Sequence, residues 1–102
     1  MATRISGELP NIIKISRLFK VLGNPKRLQL IYLLIQKSMS VSEISSTLNW
    51  EQSGVSHQLQ LLRKYNLVQQ HRHGKVVIYH LDDPKVMTLI ADALSHAEDI
   101  VK

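Results

Sequence analysis

The stretch Ser42–Leu62, SEISSTLNWEQSGVSHQLQLL, holds two apolar faces separated by one short break. Ile44 and Leu48 lie one helical turn apart, and Val55, Leu59 and Leu62 repeat the same spacing, as residues on one side of an α-helix do. Asn49 stands between the two runs, and asparagine tolerates the left-handed backbone that stops a helix and turns the chain. Ser45 is small, as a position must be where two tightly joined helices cross. Together these features predict a helix-turn-helix whose second helix runs from Gln52 to Tyr65.

The side that this second helix leaves outward is a row of short or planar hydrogen-bonding groups: Gln52, Ser53, Ser56, His57 and Gln60, followed by Arg63 and Lys64. Glutamine can pair bidentately with adenine, serine can bond base or phosphate, and histidine can donate to a guanine or phosphate acceptor. Arg63 and Lys64 suit phosphates, and equally complement the negative end of the helix. Taken singly, each polar side chain would do no more than face water. The pattern points to double-stranded DNA because of what surrounds it.

Upstream, Ser40 and Glu43 have the S-x-x-E spacing of a capping box that opens the first helix of the pair. Before that, Asn24 reads as an N-cap with Pro25 at the first helical position, where a missing N–H costs nothing. The helix that follows carries Leu28, Leu30, Ile31, Leu33, Leu34 and Ile35 on nearly all sides, so it is expected to be the buried centre of the fold. A further helix spans Leu9 to Leu22 and ends at Gly23.

Downstream, Leu67–His73 and Lys75–Leu81 are rich in Val, Ile and Tyr and are joined at His73–Gly74, which predicts a hairpin. Arg72, His73 and Lys75 place cations at its tip, suited to the minor groove or the phosphate backbone. Asp82–Asp83–Pro84 repeats the cap-plus-proline signal, and a last helix with an apolar stripe through Val86, Leu89, Ile90, Ala93, Leu94, Ala97 and Ile100 follows. The expected class is therefore mainly α with a small β-hairpin wing, a winged helix-turn-helix of order α-α-α-α-β-β-α. The apolar stripes of the first and last helices exceed what one small chain can cover, so a homodimer through those two helices is expected.

The whole chain, 102 residues with a 44% hydrophobic fraction, suffices for one domain, 1–102, and one core. No apolar run is long enough for a membrane span, and Met1–Pro10 is too polar for a leader. The absence of cysteine excludes disulfides, thiolate metal sites and thiol redox sensing, and fits a cytoplasmic protein. The net charge of +5 is unevenly divided. Residues 1–81 hold eleven Lys and Arg against three Glu, and residues 82–102 hold two Lys against five acids. A basic body suits a polyanion. No nucleophile–base order, phosphate loop or HExxH motif points to an enzyme. The remaining competitor, a winged-helix module that binds only protein, is disfavoured by the polar outward face and the basic body.

Nearly the whole chain resembles the ArsR/SmtB family of bacterial winged-helix repressors. The matching stretches are Phe19–Ile31 (FKVLGNPKRLQLI), Gln52–Arg63 (QSGVSHQLQLLR), Asn66–Val68 (NLV) and His73–Pro84 (HGKVVIYHLDDP). The second is close to the family's recognition-helix signature S-x-V-S-H-Q-L-x-L-L. The resemblance implies a homodimer that binds a palindromic operator and leaves it when an inducer, usually a metal ion, binds. It assigns DNA contacts to Gln52, Ser53, Ser56 and His57. Gly54 stands where the family often has Ala or Asn, and its lower helix propensity should loosen that turn.

The resemblance also implies places for an inducer. A cysteine site at the start of the third helix has no counterpart, since Ser40-Val41-Ser42 offers only hydroxyls, poor ligands for soft metals. A second family site, on the last helices of two subunits, maps to Asp83, Lys85, His96 and Asp99. Asp83 and His96 are ~20 Å apart along a helix, so only an antiparallel pair of last helices could unite them. Lys85 has no lone pair for a metal. Two expectations follow: Asp83, His96 and Asp99 hold Zn²⁺ or another divalent transition metal such as Ni²⁺ or Co²⁺ with water as fourth ligand, or Lys85 replaces the ion and the repressor does not respond to metal. Asp83 is also explained as a cap, and His96 and Asp99 as solvated surface. Finally, His71 and His73 alternate on one strand near His80 and could chelate, although the basic tip suits phosphate better.

Overall fold

A computed structural model of the chain describes residues 7–100. The first six residues, including Arg4 of the basic body and most of the stretch read as too polar for a leader, lie outside them. The elements are α1 (Ile12–Leu22), α2 (Pro25–Gln36), β1 (Met39–Ser40), α3 (Val41–Leu48), α4 (Gln52–Lys64), β2 (Gln69–His73), β3 (Val76–His80) and α5 (Pro84–Glu98).

Local chemistry sets most of the boundaries. Asn24 Oδ1 accepts from the Arg27 N–H and Pro25 follows it at the helix start. Ser40 and Glu43 form both halves of the capping box that opens α3. Asp83 Oδ1 accepts from the Lys85 N–H ahead of α5. Asn49 and Asn66 both take φ 57° and close the helices before them alike: the Trp50 N–H reaches Ser45 O and the Leu67 N–H reaches Leu62 O. These six-to-one bonds satisfy carbonyls that a helix end leaves open.

Three boundaries differ from the expectations by two residues or more, and the end of α4 and both ends of β3 by one. α1 begins at Ile12, because Asn11 adopts φ 56° and breaks the helix that Leu9 was expected to open. β2 begins at Gln69 because Leu67 and Val68 complete the end of α4 and enter the core instead. α5 stops at Glu98, with the Asp99 and Ile100 N–H groups bonding three residues back in a tightened last turn.

The hairpin gains a third strand. Met39 pairs with Tyr79 and Ser40 with Ile78, giving an antiparallel sheet of order β1-β3-β2. Two residues carry no readable alternation, which is why the sequence hides this strand. At the other end, Gly74 takes φ 65° between the paired residues His73 and Val76. Positive φ at the first central residue is what a type II′ hairpin turn requires, and glycine supplies it without strain.

The core gathers Leu30, Ile31 and Leu34 of α2, Ile44 of α3, and Val55, Leu59 and Leu62 of α4. α2 is not buried all round as expected: Leu28 is 38% and Tyr32 50% exposed. Those two side chains, with Ile90, Ala93, Leu94 and Ala97 of α5, line an apolar hollow of about 200 Å³. Only Val21 and Leu22 of α1 and Ile90 of α5 are buried. Ile12, Ile13, Phe19 and Leu94 stand at least half exposed. The radius of gyration, 16.2 Å, exceeds the ~13 Å of a compact chain this long, as protruding α1 and α5 require.

Candidate nucleic-acid interface

The helix-turn-helix is held rigid from behind. Ser45 Oγ donates to the Trp50 carbonyl, tying α3 to the turn. Arg27 Nε donates to Gln58 Oε1 at 3.0 Å, tying α4 to the start of α2. The Lys26 ammonium stands 5.5 Å from the centre of the Trp50 ring, within the range of a cation–π contact. None of these three ties was visible in the sequence. Lys26 and Arg27 counted only as charge and within the resemblance, and Gln58 only within the resemblance.

With Gln58, Val55, Leu59 and Leu62 turned inward, α4 shows the opposite side to solvent. Gln52, Ser53, His57, Gln60, Arg63 and Lys64 are exposed and Ser56 is half-buried. The outward row therefore stands on one helix surface. Gln52 Nε2 also lies 3.5 Å from Ser42 Oγ, which extends the polar surface onto α3. Glu51, the N-cap of α4, makes no side-chain cap bond. Gly54 is open: a Cβ there would meet nothing within 4 Å.

The wing carries the second part. Arg72 pairs with Val77 and His73 with Val76, next to Gly74 and Lys75 at the tip, and all of these cations are exposed. Because β3 is hydrogen-bonded to β1, and Ser40 of β1 caps α3, the wing is joined through backbone to the helix-turn-helix.

The residues expected to hold a metal are not brought together within one chain. Asp83 caps the start of α5, whereas His96 lies in its last turn and Asp99 at its C-cap, both exposed. Among the described residues no three His, Cys, Asp or Glu side chains converge. His71 and His73 are alternate residues on one face of β2, and His71 also neighbours His80 across the ladder.

Comparison with known proteins agrees with this geometry. Residues 24–70, from the start of α2 into the wing, match the family described as bacterial regulatory protein, arsR family. The chain is 33% identical over 86 residues to a transcriptional repressor SmtB homolog of Synechocystis, covering 84% of this chain and 65% of that protein. It is 32% identical to the transcriptional regulator NmtR of Mycobacterium tuberculosis over 85% of this chain and 72% of that one. Among solved structures, it superposes with TM-score 0.84 and 26% identity on the homodimeric winged helix-turn-helix DNA-binding domain of a possible ArsR-family regulator from Mycobacterium bovis, covering 100% of this chain and 94% of that one.

Proposed function

This chain belongs to the ArsR family of bacterial regulatory proteins, and from that premise we propose that it is a homodimeric transcriptional repressor that reads a palindromic operator in the cytoplasm. It is a DNA-binding regulator and not an enzyme. The observation that carries the reading is the outward row on α4 with an inward row tied down behind it. Gln52, Ser53, Ser56, His57 and Gln60 meet base edges in the major groove, and Arg63 and Lys64 hold phosphates. Arg72, His73 and Lys75 place the wing on the backbone or in the minor groove. The exposed apolar faces of α1, α5 and the adjoining Leu28 and Tyr32 of α2 are the isologous dimer surface, which sets two reading heads about one helical turn of DNA apart.

Release by an inducer completes the reading. Asp83 of one protomer with His96 and Asp99 from the other end of the partner's α5 would supply oxygen and imidazole ligands to Zn²⁺, Ni²⁺ or Co²⁺. A bound ion there would crosslink the two last helices. The fit is incomplete: Asp83 Oδ1 already caps α5, and Lys85 stands at the fourth position with a repelling ammonium. Operator release through α5 thus rests on three ligands where the family pattern has four, and an ArsR-type repressor indifferent to metal at this site is the second reading.

The experiment is binding-site selection from randomised duplexes followed by fluorescence anisotropy across a salt series. The expected result is enrichment of one two-fold-symmetric sequence and an affinity that falls steeply with salt. A winged-helix module that binds only protein would enrich no sequence at any salt concentration. Adding Zn²⁺, Ni²⁺ or Co²⁺ to wild type and to His96→Ala then separates the two readings of α5.

A further inference from the structure

Two imidazoles outside the reading head stand together at the root of the wing. His71 pairs with Ile78 and His80 with Gln69, so the two histidines are diagonal neighbours on one face of the β2–β3 ladder. Their ring centroids are 5.3 Å apart and the ring planes are inclined at 52°. His80 Nδ1 lies 3.5 Å from Asp82 Oδ2. Nδ1 is thus the ring nitrogen that faces the carboxylate.

We propose that His71 and His80 form a binding site for a divalent transition-metal ion of the zinc or nickel kind, with Asp82 orienting His80 from behind. The spacing suits it. With zinc about 2.0 Å from each nitrogen, each ring centre lies about 3.2 Å from the ion, and two rings at the tetrahedral angle are about 5.2 Å apart. The observed separation is 5.3 Å, so the two rings stand at the distance a shared ion requires. A carboxylate bonded to the far nitrogen of a ligating histidine is the usual support for such a ligand.

The surroundings leave room for the ion. A hollow of about 420 Å³ adjoins the pair, bounded by Lys37 and Ser38 after α2, Asp82 after β3, and Met87 of α5. Lys37 is the cation on this rim, and its ammonium is drawn to Glu43 Oε2 at 3.8 Å. No third His, Cys, Asp or Glu completes a set of three among the described residues. The remaining coordination positions fall to water, which makes this an open and exchangeable site, not a closed structural one. It is separate from the α5 ligand set, since it lies within one protomer and uses neither His96 nor Asp99.

The test uses the full chain and the ions alone. Ni²⁺ is added in substoichiometric steps while the imidazole NMR signals of the five histidines are followed, with Zn²⁺ as diamagnetic competitor. The His71 and His80 signals should broaden before those of His57, His73 and His96, and Zn²⁺ should restore them. His71→Gln, at an exposed position that leaves the fold intact by circular dichroism, should weaken binding about tenfold or more, and Asp82→Asn about tenfold. His96→Ala should leave it unchanged. Broadening that begins at His96, wild-type affinity in His71→Gln, or no selective broadening at all would overturn the proposal.

Discussion

Arg27 Nε donates to Gln58 Oε1 at 3.0 Å, and the same guanidinium reaches the Val21 carbonyl through Nη1 at 3.4 Å. One side chain thus joins the end of α1, the start of α2 and the inward side of α4. Gln58 sits in the middle of α4 with its side chain tied to the start of α2. Together with the fully buried Val55, Leu59 and Leu62 it sets the rotation of α4 about its own axis, and with it the direction in which Gln52, Ser56 and Gln60 point.

Arg27→Ala should therefore cost about 1.5–3 kcal/mol of stability, the range for one partly buried hydrogen bond made by a charged donor, the second contact being long and weak. Gln58→Met, which keeps the length and removes one acceptor, should cost less. Urea denaturation measures both. Operator affinity should fall in each variant at a temperature where both remain fully folded.

Gly54→Ala should stabilise the chain by about 0.5–1 kcal/mol, because glycine inside a helix carries excess unfolded-state freedom. A Cβ there meets no atom within 4 Å, so no clash offsets the gain. The check is a rise in the urea midpoint with an unchanged slope.

Ser40→Ala should cost about 1 kcal/mol through loss of the α3 cap. Its Oγ accepts from the Glu43 N–H, and Glu43 Oε1 accepts from the Ser40 N–H in return. Ser40→Thr, which keeps the hydroxyl acceptor at this buried position, should recover most of the loss in thermal melts.

On DNA, Arg72→Ala and Lys75→Ala should each weaken binding evenly across sequences and reduce the salt slope by about 1. Gln52→Ala should instead relax preference at one base position, by about 1–3 kcal/mol of discrimination, and leave the slope alone. Anisotropy titrations over a salt series, with matched and mismatched operators, separate the two kinds of contact.

Leu94→Glu, placed on the exposed apolar face of α5, should convert the dimer to monomer while preserving helix content. Sedimentation velocity reads the mass, and operator binding should be lost with it because a single reading head covers only one half-site.

What was legible in the sequence was whatever one or two neighbouring residues decide. Asn24, Ser40, Asp83, Asn49 and Gly74 announce caps and turns because their side chains or their tolerance of positive φ act within a few residues. The outward row on α4 was legible for the same reason, since helical spacing alone separates it from Val55 and Leu59. Relationships across the chain were not. The bond from Arg27 to Gln58, the short strand at Met39–Ser40 and the neighbouring of His71 with His80 each depend on how distant segments meet. α2 misled the reading in an instructive way: Leu28 and Tyr32 are apolar without being core, because their cover is a second surface and not the fold itself.

Ser40 belongs to two units at once. Its backbone pairs with Ile78 in the sheet while its hydroxyl starts the helix-turn-helix. On the proposed reading, α4 and the wing would therefore measure DNA as one gauge. The distance between the groove that α4 enters and the stretch that the wing tip reaches cannot be adjusted by swinging the hairpin alone. A half-site lengthened by one base pair must either be bent by the duplex itself or give up one of the two contacts, so rejecting wrong spacing requires no additional residue.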